Sequence, residues 1–293
     1  MVTVSAERAH RESVWTELQA EGGPLGVPPS LLHRLGIYRR ARGIWTDTQR
    51  TRLADGASGI TVGLLHTGEH HADELSQDGV LYYYPRTLRP GRDRADIAAT
   101  KAAGRFNLPV FVVTRGTPAT TRNVHKGWVE GWDDEAGLFL VTFTEAPPPL
   151  LPSEDGDSPF VLEEEVTKSS RSVVRRPNQQ RFKFAVLKRY GPACAICDLG
   201  VVDLLQAAHL RGKGAGGSDD PRNGLVLCAL HHLAFDRGLW AIEPTSLAVK
   251  LRPGGPDAKQ LRLTRNSLKH LSKPPHKDAL LSAWSAWKLD PSV

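Results

Sequence analysis

Cysteine is scarce in this sequence of 293 residues: there are three, Cys194, Cys197 and Cys228. An odd number, without a secretion signal, argues against a disulfide framework. Long hydrophobic runs are also missing. No stretch reaches the roughly 18 consecutive apolar residues of a membrane span, so no membrane partner is expected. The opening MVTVSAERAHRESVW is polar and mixed in charge, unlike a signal peptide, which points to a cytoplasmic protein. There is no internal repeat, which sets aside solenoids and propellers.

What is present suits an ordinary globular chain. Hydrophobic residues make up 40%, enough for buried cores, and the length suggests two domains. The net charge is +6, with a pI near 9.3. A basic surface draws polyanions by steering and counterion release.

Four segments can be read along the chain. Residues 1–35 are polar with helical spacing and form an N-terminal extension, ending near Pro28-Pro29. Residues 36–145 are rich in strands: Gly36–Tyr38, Ile60–His66, Val80–Tyr84, Val110–Thr114, Gly127–Gly131 and Gly137–Phe143. One helix, Arg94–Phe106, interrupts them, with Ile97, Ala98, Ala102 and Phe106 on helical spacing. Many strands with few helices predict a curved, barrel-like α+β domain. Residues 146–177 begin with APPPLLPSEDGDSPF and have the composition of a linker. Residues 178–293 form a second domain: a helix Arg181–Arg189, the cysteine cluster, two short strands and a helix. It ends in an amphipathic helix Asp278–Lys288 that is expected to pack on its own domain.

The stretch Cys194–Gly238 carries the densest chemistry. Cys194-x2-Cys197 and Cys228-x2-His231 are two half-sites with zinc-ligand spacing. Tetrahedral Cys3His coordination of a structural Zn²⁺ would use every cysteine in the protein. The alternative is a set of small buried thiols, with His231 serving another ion. His209 ends the apolar run Leu204–Leu210, a glycine-rich loop follows, and Asn223-Gly224 opens a second strand. Ala229–Arg237 has helical composition, which places His232 and Asp236 one turn apart on one face.

Taken in order, Cys194-Ala-Ile-Cys197, Ala207-Ala208-His209, Arg222-Asn223-Gly224, Cys228-Ala-Leu-His231-His232 and Phe235-Asp236-Arg237-Gly238 closely resemble the HNH, or ββα-metal, nucleases over about residues 178–245. The resemblance implies hydrolysis of nucleic acid phosphodiesters. It makes His209 the general base, Asn223 the residue that holds the loop, His232 the metal ligand on the helix, and Asp236 a second ligand. Mg²⁺ or another divalent cation is the implied cofactor. A His with a pKa near neutrality can deprotonate water, and a divalent ion offsets charge on the phosphate and the leaving oxygen. One departure stands out: many relatives place an acidic residue or a His just before the base, where this chain has Ala208.

The N-terminal segment carries Gly59-Ile-Thr-Val-Gly63-Leu-Leu-His66-Thr67-Gly68, then His70-His71-Ala72-Asp73, then Leu81-Tyr82-Tyr83-Tyr84-Pro85. Over about residues 36–145 this resembles the SRA fold, a branch of the PUA-like superfamily that flips a modified cytosine out of duplex DNA. Such flipping needs flat side chains for stacking and polar groups for the Watson–Crick edge. The resemblance gives Asp73 the cytosine edge. It gives the stacking walls to His70 or His71 with Tyr82 or Tyr84, which share a strand face. Arg39, Arg40, Arg42, Arg86, Arg89 and Arg92 are candidates to grip phosphates or fill the space left in the helix. His70 stands where better-known SRA domains have tyrosine, and Pro85 where they commonly have Thr-Gly.

The domain order resembles bacterial modification-dependent restriction enzymes. The expectation is therefore an endonuclease dependent on 5-methylcytosine or 5-hydroxymethylcytosine in double-stranded DNA. One HNH site cuts one strand, so a homodimer is expected for double-strand cleavage. The competing readings are a sequence- or structure-specific HNH endonuclease that flips no base, and a DNA-binding protein with a decayed nuclease.

Overall fold

The computed structural model of the protein describes residues 3–39, 43–52, 59–66, 74–148, 159–163 and 179–289. The chain forms two compact units, Met1–Leu151 and Pro152–Val293. Among the described residues, no helix is long and apolar enough to cross a membrane.

The first unit contains helices α1 (Val4–Ala20), α2 (Pro29–Arg34) and α3 (Pro90–Arg105). Its strands are β1 (Ile44–Thr46), β2 (Thr61–His66), β3 (Glu74–Leu75), β4 (Gly79–Tyr83), β5 (Pro109–Arg115), β6 (Arg122–Asp133) and β7 (Leu138–Phe143). They make one sheet in the order β1-β2-β5-β6-β7-β4-β3, with β2 and β5 parallel and the other neighbours antiparallel.

On β5, strand alternation sorts the apolar residues to two faces. Leu64, Val110 and Val112 join Ala102, Ala103 and Leu108 in one core, with Ile97 of α3 packed against it. Val62, Phe111 and Val113 join Val14, Trp15 and Leu18 of α1 and Leu31 and Leu32 of α2 in the other. The sheet is thus covered on both faces, and residues 1–35, expected as an extension, supply one of its two cores. Buried Arg11 fastens this helix: it pairs with Glu7 at 2.7 Å and donates to the carbonyls of Thr61 (2.8 Å) and Pro109 (2.6 Å).

The α+β class agrees with the expectation, but among the described residues the sheet is open, with β1 and β3 as its edges. Gly36–Tyr38, expected as a strand, is a helix-ending turn. Gly36 takes φ of +69°, and the N–H groups of Ile37 and Tyr38 both donate to the Leu32 carbonyl. This is how a glycine beyond a helix end satisfies orphan carbonyls.

In the second unit, α4 (Gln179–Tyr190) packs against a hairpin of β8 (Leu205–His209) and β9 (Gly224–Cys228). The antiparallel register runs from Leu205↔Cys228 to His209↔Gly224. The helix α5 (Ala229–Asp236) follows β9 directly and packs on the same hairpin. A short ladder of β10 (Trp240–Ile242) and β11 (Val249–Leu251) leads to α6 (Lys277–Leu289), which packs on β10. As expected, α6 docks on its own unit: Leu280 is buried and the Trp287 indole donates to the Gly238 carbonyl at 2.8 Å.

Candidate active site and metal centres

The hairpin and α5 bring His209, Asn223, His232 and Asp236 into one neighbourhood, as the spacing predicts. His209 ends β8 with its ring flat against Phe182 of α4, at 3.7 Å between centroids and 9° between planes. Its Nε2 lies 3.0 Å from Asp219 Oδ1, and the other Asp219 oxygen meets Lys213 Nζ at 2.8 Å.

Asn223 is fully buried. Its Oδ1 accepts from the Arg211 N–H at 2.9 Å, and its Nδ2 donates to the carbonyls of Arg211 and Ser218 at 3.0 and 2.9 Å. Every bond of this amide ties the two ends of the 211–218 loop together. Asn223 therefore ties the backbone of Arg211 to that of Ser218. The loop also needs Gly217, where a Cβ would stand 1.8 Å from the Arg211 carbonyl oxygen.

On α5, His232 Nε2 lies 3.6 Å from Asp236 Oδ2, one helical turn on. His232 Nδ1 meets Gln206 Oε1 at 2.7 Å. Giving its Nδ1 proton to Gln206 leaves Nε2 as the lone-pair nitrogen, the arrangement of a metal-binding histidine with an orienting partner. Gln206 and Ala208 share a strand face. The position that many HNH relatives give to a further ligand is here a wholly buried methyl, while the polar contact to His232 comes from two residues upstream. Burial lowers the His232 pKa, and the nearby His209 adds to this while Asp236 opposes it.

Ligand atoms of Cys194, Cys197, Cys228 and His231 lie within 4.8 Å of one another. His231 Nδ1 faces the sulfurs of Cys228 (3.2 Å) and Cys194 (3.5 Å), and its Nε2 donates to the Leu261 carbonyl at 2.9 Å. That bond aims the Nδ1 lone pair into the cluster. The first knuckle is braced by the N–H groups of Thr264 and Arg265, both donating to the Ile196 carbonyl at 3.1 Å. Burial, with the crowding of Cys194 and Cys228, pushes the Cys197 thiol up to about 12. A cation at the centre reverses that balance. Three thiols and one imidazole on a closed, braced frame could hold a zinc ion.

Residues 194–243 match the family described as HNH endonuclease. This segment is an HNH endonuclease domain. No curated protein matches the chain. Among solved structures the chain is similar to one titled "Modification dependent TagI restriction endonuclease", at 18% identity, over 93% of this chain and 96% of that one, with a TM-score of 0.35. It is also similar to a SUVH5 SRA–methylated CHH DNA complex (17% identity, 44% of this chain, 91% of that one, TM-score 0.32). A third match is KRYPTONITE in complex with mCHG DNA and SAH (16%, 49% and 39%, TM-score 0.31).

In the first unit, His70, His71 and Asp73, with Arg40 and Arg42, lie outside the described residues. Tyr82 and Tyr84 do share a face, and both rings belong to the sheet core, at 5% and 8% exposure. The Tyr84 hydroxyl donates to Asp134 at 2.8 Å and its ring packs on Phe139. The Tyr82 hydroxyl donates to the Leu65 carbonyl at 3.3 Å, near the end of β2. Arg39 donates to the His33 carbonyl. Arg86 and Arg89 lie exposed before α3, and Arg92 pairs loosely with Asp96 at 3.8 Å.

Sequence reasoning missed three partners: Asp219 on His209, Gln206 on His232, and the Leu261 carbonyl on His231. Only Asp219 left a trace, as one of two acids closing a glycine-rich loop. A backbone carbonyl 30 residues away leaves none.

Proposed function

We propose that the protein is a modification-dependent DNA endonuclease. Its HNH domain cuts phosphodiester bonds, and its first unit selects duplex DNA carrying 5-methylcytosine or 5-hydroxymethylcytosine by flipping the modified base. The observation that supports the nuclease reading is a grouping of side chains: His209 stacked and hydrogen-bonded, Asn223 bonded to the loop backbone, and His232 beside Asp236 on α5.

In this reading His209 takes a proton from water through Nδ1. His232 and Asp236 would hold a divalent cation, Mg²⁺ or a relative. When bound, that cation supplies charge stabilisation to the phosphate and the leaving oxygen. The stacked Phe182 fixes the plane of the base, and Asn223 fixes the loop beside it. The Cys3His cluster would hold Zn²⁺ as a staple, apart from the chemistry.

For the first unit, support comes from residue chemistry. Asp73 and His70 or His71, in the sequence after β2, have the chemistry of a polar edge and a flat ring, and the Tyr82 hydroxyl donates to the Leu65 carbonyl near the end of that strand. Arg86 and Arg89 offer phosphate contacts on a chain of net charge +6. Cutting both strands calls for two HNH sites, hence a homodimer on DNA.

The test is cleavage of one plasmid prepared unmodified, cytosine-methylated and hydroxymethylated, with Mg²⁺ or Mn²⁺. Cutting of a modified form alone, lost in His209→Ala and in Asp73→Ala, is expected. Equal cutting of all three forms would retain the nuclease and remove the modified-base role. No cutting of any form would favour a DNA-binding protein, the reading towards which Ala208 leans.

A further inference from the structure

We propose that Asp219 is a positioning residue for the general base: it fixes His209 as the Nε2–H tautomer, turns Nδ1 to the water, and holds the imidazolium that forms. The proposal rests on the nuclease reading of His209 given above.

The geometry carries this in three steps. First, a carboxylate can only accept a hydrogen bond. With Asp219 Oδ1 at 3.0 Å, Nε2 must be the donor, and the basic lone pair is left on Nδ1. Second, Asp219 cannot easily turn away. Lys213 takes its second oxygen at 2.8 Å, and the backbone is pinned on both sides. On one side, the buried Ser218 gives its N–H to the Leu162 carbonyl at 2.9 Å and its hydroxyl to the Val161 carbonyl, while Asn223 holds its carbonyl. On the other, the Asp220 side chain accepts from the Arg222 N–H at 2.8 Å. Third, the neighbouring side chains that could compete for the orienting role, among the described residues, are engaged elsewhere. Asn223 spends its side-chain bonds on backbone groups of Arg211 and Ser218, and Phe182 supplies only a flat face.

The proton balance follows. A water proton moves to His209 Nδ1 as the oxygen attacks phosphorus, and the bond to the leaving oxygen breaks. The Nε2 proton stays in place. The cation so formed lies against a carboxylate that Lys213 keeps in position, a charge-assisted contact stronger than a neutral one. The same logic of an acid orienting a catalytic histidine is known from unrelated hydrolases.

The experiment uses the full-length protein with Asp219→Ala, the near-isosteric Asp219→Asn, and His209→Ala as reference. Single-turnover cleavage of the modified plasmid is measured beside DNA affinity, zinc content and the ¹⁵N shifts of the His209 ring. In Asp219→Ala the cleavage rate should fall about 10²-fold or more, within the range of general-base catalysis. DNA affinity and zinc content should hold within about twofold, and the ring should change from one Nε2–H tautomer to a mixture. Asp219→Asn, whose amide oxygen can still accept, should keep the tautomer and recover part of the rate. Should Asp219→Ala fail to fold, a loss of about tenfold or more in Asp219→Asn carries the test. An unchanged tautomer in Asp219→Ala would overturn the proposal. So would an unchanged rate where His209→Ala is inactive, or a loss confined to KM. Full cleavage by His209→Ala would overturn the nuclease reading itself, and the proposal with it.

Discussion

His231 and His232 are adjacent on α5, yet the two regions they face are unlike. Successive helical residues point about 100° apart, so one ring enters the interior and the other the cleft. His231 is fully buried, with its two nitrogens committed to sulfur and to the Leu261 carbonyl. His232 keeps 24% of its side chain exposed and faces Gln206 and Asp236. Four donors closed around one point suit an ion that stays. Two donors at an open edge leave room for water and phosphate, as a working metal site requires. A rotation of one residue separates a closed donor cluster from an open cleft.

The largest effect should come from breaking the staple. Structural zinc in small domains contributes about 10–16 kcal/mol, comparable with the whole stability of a domain at about 5–15 kcal/mol. Cys194→Ser, or removal of zinc by a strong chelator, should therefore abolish the cooperative melting of the second unit. The first unit has its own two cores and should melt as before. Calorimetry with metal analysis reads this, and a second unit that melts normally without metal would dissolve the contrast.

His232→Ala sharpens the contrast from the other side. It should lower cleavage by about 10²–10³-fold, the usual loss when one fixed electrostatic contact to a transition state is removed. Zinc content and the melting profile should stay put. Loss of zinc in this variant would mean that both histidines serve one site.

Legibility in the sequence follows the same divide. The groupings of Cys194, Cys197, Cys228 and His231, and of His209, Asn223, His232 and Asp236, could be anticipated because short spacings within a hairpin and one helix fix their geometry. Asp219, Gln206 and the Leu261 carbonyl could not, because their partners are chosen by how a loop closes and how strands register. In the first unit, β2, β4, β5, β7 and part of β6 were legible as apolar, strand-forming runs, and α3 from its spacing. Two features were not. The helical character of residues 1–35 was legible, but their polar look hid the inner face, Val14, Trp15 and Leu18, that completes a core. The burial of Tyr82 and Tyr84 in the sheet core was not legible either, because aromatic residues on strands occur alike in cores and in pockets.

A smaller effect tests whether Gln206 does for His232 what Leu261 does for His231. Gln206→Leu removes the acceptor at Nδ1 and frees the ring to rotate. Orienting partners of this kind are worth about 10–100-fold in metal affinity. The Mg²⁺ or Mn²⁺ concentration needed for half-maximal cleavage should rise by that order, with little change in the rate at saturating metal. A fall in the saturated rate with unchanged metal dependence would instead place Gln206 in the chemistry.

The smallest effect lies in pH. Burial holds the His232 pKa below its ordinary value of 6.5, so the folded unit binds this proton less readily than the unfolded chain. Above about pH 6.5 both forms are neutral and the group contributes nothing to the balance. As pH falls from there to the lowered folded value, the unfolded chain takes up a proton that the folded one refuses, and stability declines. Below the folded value the loss levels off. Comparing melting temperatures of the wild type and His232→Gln between about pH 7.5 and 5.5, a window centred on the ordinary histidine range, isolates this contribution. The variant should show the shallower decline, by at most one proton. Equal slopes would mean that His232 titrates as if in water. The cleft would then be open enough for water alone to hold the ring, and the assignment of Nε2 to a metal would lose its support from burial.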